Sequence, residues 1–243
     1  MPMPDLGRKL HHNPKSREHA FTGAAPRARH IRHAMNAPHV DQFYLGGCVG
    51  FSGTNWLNTT KASRNRLNFN FAKHQRRTIK YLDNNDGIDN YSGATLYDPY
   101  PGQYPPTDEG SSAIGLMKYW KRIGVIGSYK WTFTFDSFLA ALALQPVLVG
   151  TNWYDDMMET GPDGIVNSRV DGGSGGHEYL ATEIIPEGYL YGHYWPSLHI
   201  GFEQSWGQNP PGFGKKGRFW MSGDLTEYLI IHEQGDVAVP SLL

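Results

Sequence analysis

The stretch Gln42-Phe43-Tyr44-Leu45-Gly46-Gly47-Cys48-Val49-Gly50-Phe51-Ser52 decides the fold. It contains Cys48, the single cysteine of the 243 residues, directly after a glycine pair and six positions after a glutamine. A thiol at the point where a tight loop enters a helix faces free N–H groups and the positive end of the helix dipole, and both favour the thiolate. The stretch therefore predicts a reactive cysteine of unusually low pKa. The opposing interpretation is a small buried apolar residue without chemistry, which is the usual role of a lone cysteine.

Downstream residues favour the reactive interpretation. A glycine-rich loop, Asp171–Gly176, leads directly to His177, and the following residues, 178–185, have the composition of a strand. A histidine at the mouth of a strand can be directed across a cleft. Further on, Gln204-Ser205-Trp206-Gly207 places an amide beside an aromatic residue and a glycine.

A third segment lies between the cysteine and the histidine. Asp108-Glu109-Gly110 precedes a helical pattern in which Ile114, Met117, Trp120 and Ile123 share one face, and Gly124 is the expected stop. We expect Asp108 to be a carboxylate at a helix start rather than a catalytic group.

Together these segments resemble the papain-like cysteine peptidases, in the stand-alone bacterial and phage form without a prosegment. The resemblance covers about residues 41–221, and its weight comes from several motifs in one order. It implies an α+β fold of two lobes, a helical N-terminal lobe and an antiparallel β C-terminal lobe, with the active-site cleft between them. By the same resemblance Cys48 is the nucleophile, His177 the base, Gln204 the orienting amide and Gln42 the oxyanion donor.

The resemblance also implies a set of residues along the substrate cleft. They are Gly46, Gly47, Glu109, Gly110, Gly176, Glu178 and Trp206. Three positions depart from the family pattern. Gln204 replaces an asparagine, Glu178 replaces a small residue and is expected to raise the imidazole pKa or to narrow a specificity pocket, and Phe213 is expected to replace a missing aromatic residue.

The chain divides into an arm and a peptidase domain. Residues 1–38 are basic and poor in large apolar groups, which predicts an extended arm that is mobile or wrapped on the surface. By the resemblance, we expect residues 39–243 to form the papain-like domain, with a helical lobe over about 39–130 and a mainly β lobe over 131–243. We expect a loose insert over 82–106 and a short helix capped by Asp136.

Strands are expected in the second half of the chain. They fall at residues 146–150, 178–185, 197–203, 218–221 and 228–232. The helix after Cys48 is weak by propensity, because Gly50, Gly53 and Thr54 disfavour helix, and packing through Phe51, Trp56 and Leu57 would have to hold it.

Composition excludes several protein classes. One cysteine excludes an internal disulfide and favours a reducing, cytoplasmic location; an origin in a phage or virion is also compatible. No apolar run is long enough to span a membrane, and residues 1–10 lack the apolar core of a signal peptide. Only 47 residues precede Cys48, so a family prosegment is not expected.

The basic stretch and the histidines of the arm do not indicate a site for nucleic acid or metal. Residues 61–80 hold seven Lys or Arg and no acid, and we interpret them as a solvated face rather than a nucleic-acid site. The five histidines of the arm lack the spacing of a zinc site, so no metal or cofactor is expected. The expected partners are a polypeptide substrate and a protein bound through the arm.

Two alternatives remain open at this stage. An inactive papain-like fold used for binding or assembly would tolerate the change to Gln204. A peptidoglycan amidase would also use a cysteine and a histidine on a related α+β layout, but the upstream glutamine and the amide-Ser-Trp-Gly element are peptidase features.

Overall fold

The computed structural model describes residues 6–25, 29–62, 81–207, 213–214 and 216–241. Most of the basic stretch at 61–80 lies outside these ranges. Within them, the helices are α1 (Cys48–Leu57), α2 (Asn84–Thr95), α3 (Ala113–Arg122), α4 (Phe135–Leu144) and the short α5 (Gly223–Glu227), with 3₁₀ turns at Pro14–His19 and Asp155–Met157 and a π turn at Tyr228–His232.

Packing holds α1, as its weak propensity required. All ten of its residues are buried. Gly50 is needed because α1 and α2 meet backbone to backbone: a Cβ atom at Gly50 would lie 2.3 Å from the Tyr91 nitrogen. The residues that weaken the helix in isolation therefore allow its close packing.

The expectation of a loose insert over 82–106 is wrong at its first half, because α2 occupies residues 84–95. A capping box begins this helix: Asp83 accepts from the backbone of the first turn, and the Asp86 side chain accepts from the Asp83 N–H at 2.8 Å. The helix lacks a regular apolar stripe, since its buried face includes Asp86, Asn90 and two glycines, and this concealed it in the sequence.

The other helix predictions are largely confirmed. In α3, Ile114, Met117 and Trp120 are buried, and Gly124 follows the helix with a φ of 76°. In α4 the cap is Thr134, whose hydroxyl accepts from the Ser137 N–H, and Asp136 lies in the first turn instead.

Antiparallel strands form the second half of the fold. They are β1 (Ile31–Arg32), β2 (Ser128–Trp131), β3 (Val147–Tyr154), β4 (Ser174–Ile185), β5 (Gly188–Leu190), β6 (His193–Trp195), β7 (His199–Glu203), β8 (Arg218–Ser222) and β9 (Asp236–Ser241). The main sheet runs β2-β9-β3-β4-β7-β8, β1 pairs with the end of β4, and β5 pairs with β6. This confirms the predicted α+β class.

Two strand predictions need correction. β4 begins three residues before His177, so the histidine lies inside the strand rather than at its mouth. Residues 228–232 form a helical turn, not a strand. Ser222 caps α5, and the chain stays helical beyond that helix. Leu229 and Ile230 are neighbours and are both buried, whereas neighbouring residues of a strand with one exposed face alternate between buried and exposed.

Two apolar cores lie on opposite faces of the main sheet. One packs α4 and the π turn on the sheet around Trp153, Tyr179, Phe202 and Phe219. The other packs α1 and α3 on the opposite side around Trp56, Leu116 and Trp120, and Cys48 belongs to it. Cys48 therefore comes from the helical half and His177 from the sheet.

The described part of the arm is docked on the body. β1 pairs with β4, His30 Nε2 lies 2.7 Å from Glu183 Oε1, and His33 Nε2 lies 2.6 Å from the Leu142 carbonyl oxygen. Among the described residues, no helix is long and apolar enough to cross a membrane.

Candidate active site

The loop before Cys48 is fixed by a carboxylate from the segment before α3. The Gly46 N–H donates to both oxygens of Asp108, at 3.1 and 3.3 Å, and the Tyr91 hydroxyl donates to Oδ1 at 2.7 Å. The sequence predicted that Asp108 would lie at the start of α3. Its carboxylate instead holds the loop that leads into α1. Cys48 is the first residue of that helix and is fully buried.

The His177 ring is held by Gln204. His177 Nε2 lies 2.6 Å from Gln204 Oε1, and that oxygen also accepts from the Ser205 N–H at 3.1 Å. The longer amide thus reaches the ring. Because Oε1 is an acceptor, Nε2 donates and the neutral ring has its lone pair on Nδ1. Nδ1 is buried and has no hydrogen-bond partner in the described part of the chain.

Aromatic rings shield this pair from water. Trp206 stacks on the imidazole with ring centres 5.0 Å apart and an interplanar angle of 26°, and Trp153 contacts it edge-on at 5.2 Å. Phe213 lies 5.0 Å from Trp206, at the place where an aromatic substitute was expected. Burial lowers the pKa of His177 to about 4, although the hydrogen bond that its ring donates to Gln204 opposes this shift.

Gln42 connects the cysteine loop to the sheet half. Its Nε2 donates to the Leu45 carbonyl at 2.8 Å, and its Oε1 accepts from the Ser205 hydroxyl at 2.7 Å. The backbone N–H of Gln42 also donates to the Ser205 carbonyl. Gln42 is therefore fixed between the residue next to Gln204 and the turn before Cys48.

The N-terminal arm passes through the cleft between Cys48 and the sheet. The Arg8 N–H donates to the Gly176 carbonyl, the Ser111 N–H donates to the Gly7 carbonyl, and the Lys9 N–H donates to the Ser111 carbonyl, at 2.8, 2.8 and 2.6 Å. Arg8 pairs with Ser111 in the parallel sense. Nothing in the composition of residues 1–38 indicated this placement.

Glycines make the close passage possible. A Cβ atom at Gly7 would lie 1.8 Å from the Gly46 oxygen, one at Gly110 would lie 1.9 Å from the Gly7 oxygen, and one at Gly176 would lie 1.9 Å from the Arg8 oxygen. Three of the cleft glycines predicted from the sequence, Gly46, Gly110 and Gly176, therefore contact the backbone of the arm. Of the others, Gly47 packs against Phe51 and Tyr91 instead, and the exposed Glu109 lies 3.9 Å from Lys9 Nζ.

The Cys48 thiol has a raised pKa, opposite to the sequence prediction. Burial raises it to about 12, and the backbone N–H groups of Glu178 and Gly7, which donate towards the sulfur, reverse this only in part. The start of α1 does favour the thiolate, but the arm removes the sulfur from water, and the cost of desolvating a thiolate is larger. The prediction of an acidic thiol is wrong for this closed arrangement.

Glu178 does not act on the imidazole. Burial, and not this carboxylate, dominates the pKa of His177. Glu178 is itself fully buried and lies against Arg8 and Asp236. Burial raises its pKa well above the usual range, the charge of Asp236 adds to the rise, and Arg8 opposes it.

The low pKa of His177 predicts a loss of stability on acidification. Below pH 6.5 the unfolded chain protonates this histidine, whereas the folded chain does so only near pH 4. The free energy of unfolding should therefore fall by about 2–3 kcal/mol from this group between pH 7 and pH 4.5. Urea unfolding at the two pH values should show a larger loss for the wild type than for His177→Gln. Equal losses would contradict the assignment.

No protein-family model and no curated protein sequence matches this chain. Solved structures do match. Xylellain, a cysteine protease from Xylella fastidiosa, aligns with a TM-score of 0.53 and 17% identity over 99% of this chain and 95% of its own. Digestive procathepsin L 3 of Tenebrio molitor aligns with a TM-score of 0.57 and 13% identity over 98% and 84%.

A third match is the bromelain protease from Ananas comosus in complex with the E64 inhibitor, with a TM-score of 0.55 and 13% identity over 86% of this chain and 95% of its own. Identities this low establish the fold alone. Each of the three alignments covers 86% or more of this chain, so it includes both the helical half and the sheet half. The chain is a papain-like fold of the kind found in cysteine proteases.

Proposed function

We propose that this chain is a papain-like cysteine peptidase that hydrolyses peptide bonds. The observation that carries the proposal is the hydrogen bond of 2.6 Å between His177 Nε2 and Gln204 Oε1 beneath Trp206. This bond fixes one tautomer and directs the lone pair of Nδ1 away from the amide. A cysteine at the start of α1, in the opposite half of the fold, is the group that such a base would serve.

In the reaction, His177 Nδ1 takes the Cys48 proton, and the thiolate attacks the carbonyl carbon of the scissile bond. The oxyanion then accepts from the Gln42 side-chain amide and the Cys48 N–H. The protonated Nδ1 gives its proton to the leaving amine, which leaves an acyl-enzyme. The neutral ring next takes a proton from water, the hydroxide attacks the thioester carbonyl, and the thiolate leaves. Gln204 keeps the ring in one orientation throughout.

The cleft is suited to an extended polypeptide. Its walls offer the Ser111 N–H and carbonyl and the Gly176 carbonyl, which are groups that pair with a backbone. The arm uses all three of them in this structure, so a substrate must replace it. The arm is not itself placed for cleavage at Gly7, because the Gly7 carbonyl is bound by Ser111 while its N–H faces the sulfur.

The peptidase function is tested with the full chain carrying Gly7→Val, which cannot keep the arm in the cleft. We expect hydrolysis of members of a random peptide library, and a stoichiometric E64 adduct on Cys48 by mass spectrometry. Failure of both, with the fold intact by circular dichroism, would overturn the proposal in favour of an inactive binding fold. Release of muropeptides from peptidoglycan without peptide hydrolysis would favour the amidase.

A further inference from the structure

A row of three residues across neighbouring strands forms a pocket beneath the arm. Gly150 of β3 is opposite Glu178 of β4 on one side and opposite Asp236 of β9 on the other. Because Gly150 has no side chain, the space between the two carboxylates is open. We call Glu178, Gly150 and Asp236 the acidic pocket.

The Arg8 side chain fills the acidic pocket. Its Nη2 donates to Asp236 Oδ2 at 2.9 Å, and the side chains of Arg8 and Asp236 are 1% and 9% exposed. A Cβ atom at Gly150 would lie 2.5 Å from Glu178 Oε2, 2.6 Å from Arg8 Nε and 2.6 Å from Asp236 Oδ1. The guanidinium thus occupies the place that any larger residue at 150 would take.

The two carboxyl groups of this pocket favour a cation between them. One guanidinium faces two buried carboxyl groups, and neither Glu178 oxygen nor Asp236 Oδ1 has a hydrogen-bond partner in the described ranges. Burial and the charge of Asp236 both raise the pKa of Glu178, and the Arg8 guanidinium opposes that rise, so a cation between the two groups stabilises their ionised forms. A pocket built only to anchor the arm would need one carboxylate, whereas this one offers further acceptor oxygens.

The pocket lies next to the reacting thiol. Gly7, the neighbour of Arg8, donates its N–H towards the Cys48 sulfur, and Glu178 follows His177 directly in β4. A substrate that replaces the arm along the same backbone groups would therefore pass a side chain over the acidic pocket within a few residues of its scissile bond.

Building on the peptidase function proposed above, we propose that the acidic pocket selects an arginine or lysine side chain of the substrate, and that Arg8 occupies it in place of the substrate. Arginine is the better fit, because its planar fork can bond two carboxylates at once, whereas lysine presents a point charge. The substrate class is a polypeptide with a basic residue within a few residues of the cleaved bond.

The specificity is tested with fluorogenic peptides that carry arginine, lysine, leucine or citrulline at one of the three positions on either side of the cleavable bond. Citrulline keeps the shape of arginine without its charge. With the Gly7→Val chain, we expect kcat/KM for arginine to exceed that for citrulline by at least about 30-fold at one position. Glu178→Gln with Asp236→Asn should reduce this ratio to near one, whereas Asp224→Asn, an exposed carboxylate elsewhere, should not.

A binding measurement keeps the inference separate from the peptidase function. Fluorescence anisotropy should show that a labelled Leu-Gly-Arg-Lys peptide binds the Gly7→Val, Cys48→Ala chain more tightly than its citrulline analogue. Turnover without preference for arginine would overturn the pocket and leave the peptidase. Selective binding of the arginine peptide without any turnover would overturn the peptidase function and leave the pocket. If Gly7→Val does not fold, Arg8→Glu displaces the arm by charge instead and carries the same tests.

Discussion

Replacing Gly7 with valine is expected to raise the rate at which iodoacetamide alkylates Cys48 at pH 7 by roughly a thousandfold. With the arm in place the thiol has a pKa of about 12, and only the thiolate reacts. A thiol returned to an ordinary pKa of about 8.5 would be ionised to a few per cent at pH 7, which is roughly a thousand times more. The valine side chain cannot fit, because even a Cβ atom at this position would lie 1.8 Å from the Gly46 oxygen.

The measurement is the loss of free thiol with time, read by mass spectrometry. Leu10→Ala is the matched control, since this arm residue is 43% exposed and lies outside the row of glycine contacts. It should alkylate at the wild-type rate. A Gly7→Val chain that is folded yet alkylates no faster than the wild type would show that the arm does not control access to the sulfur.

Replacing Cys48 with alanine in the Gly7→Val chain is expected to lower peptide turnover by a factor on the order of 10⁴ or more, because removal of a nucleophile abolishes the covalent route. Stability should change little: alanine keeps the helix start and removes one sulfur from a packed core. The assay is initial-rate hydrolysis of the best library peptide. Turnover equal to that of the parent chain would reject Cys48 as the nucleophile.

The sequence motifs anticipated the parts of the site that depend on local order. The glycine pair before Cys48 and the glycine-rich run before His177 mark tight backbone, and Gln204-Ser205-Trp206 marks an amide under an aromatic ring. Each of these signals lies within a few neighbouring residues. The α+β class followed from helical patterns in the first half and strand patterns in the second, and the sheet confirms it.

What the sequence did not reveal depends on partners that are distant in the chain. Arg8 is a basic residue in a polar arm until it is known that Asp236, 228 positions later, lies beside it. The pKa of Cys48 likewise follows from burial under residues 40 positions upstream, so a rule about helix starts gave the wrong direction. In α2, several buried positions are polar residues or glycines. The helix therefore lacks the regular spacing of apolar residues by which a helix is recognised in a sequence.

The pairing of β1 with β4 has a consequence for how the cleft can open. Because the arm stays fastened at Ile31 and Arg32 while Gly7 and Arg8 leave, the released segment remains within a short tether of the cleft. Its return is a first-order event, governed by an effective concentration in the millimolar range. Dilution of the protein therefore does not open the cleft. A competing peptide displaces the arm only when the ratio of its concentration to its dissociation constant is comparable to the same ratio for the tethered arm. Cutting the chain between residue 9 and β1 would turn this local equilibrium into an ordinary bimolecular one.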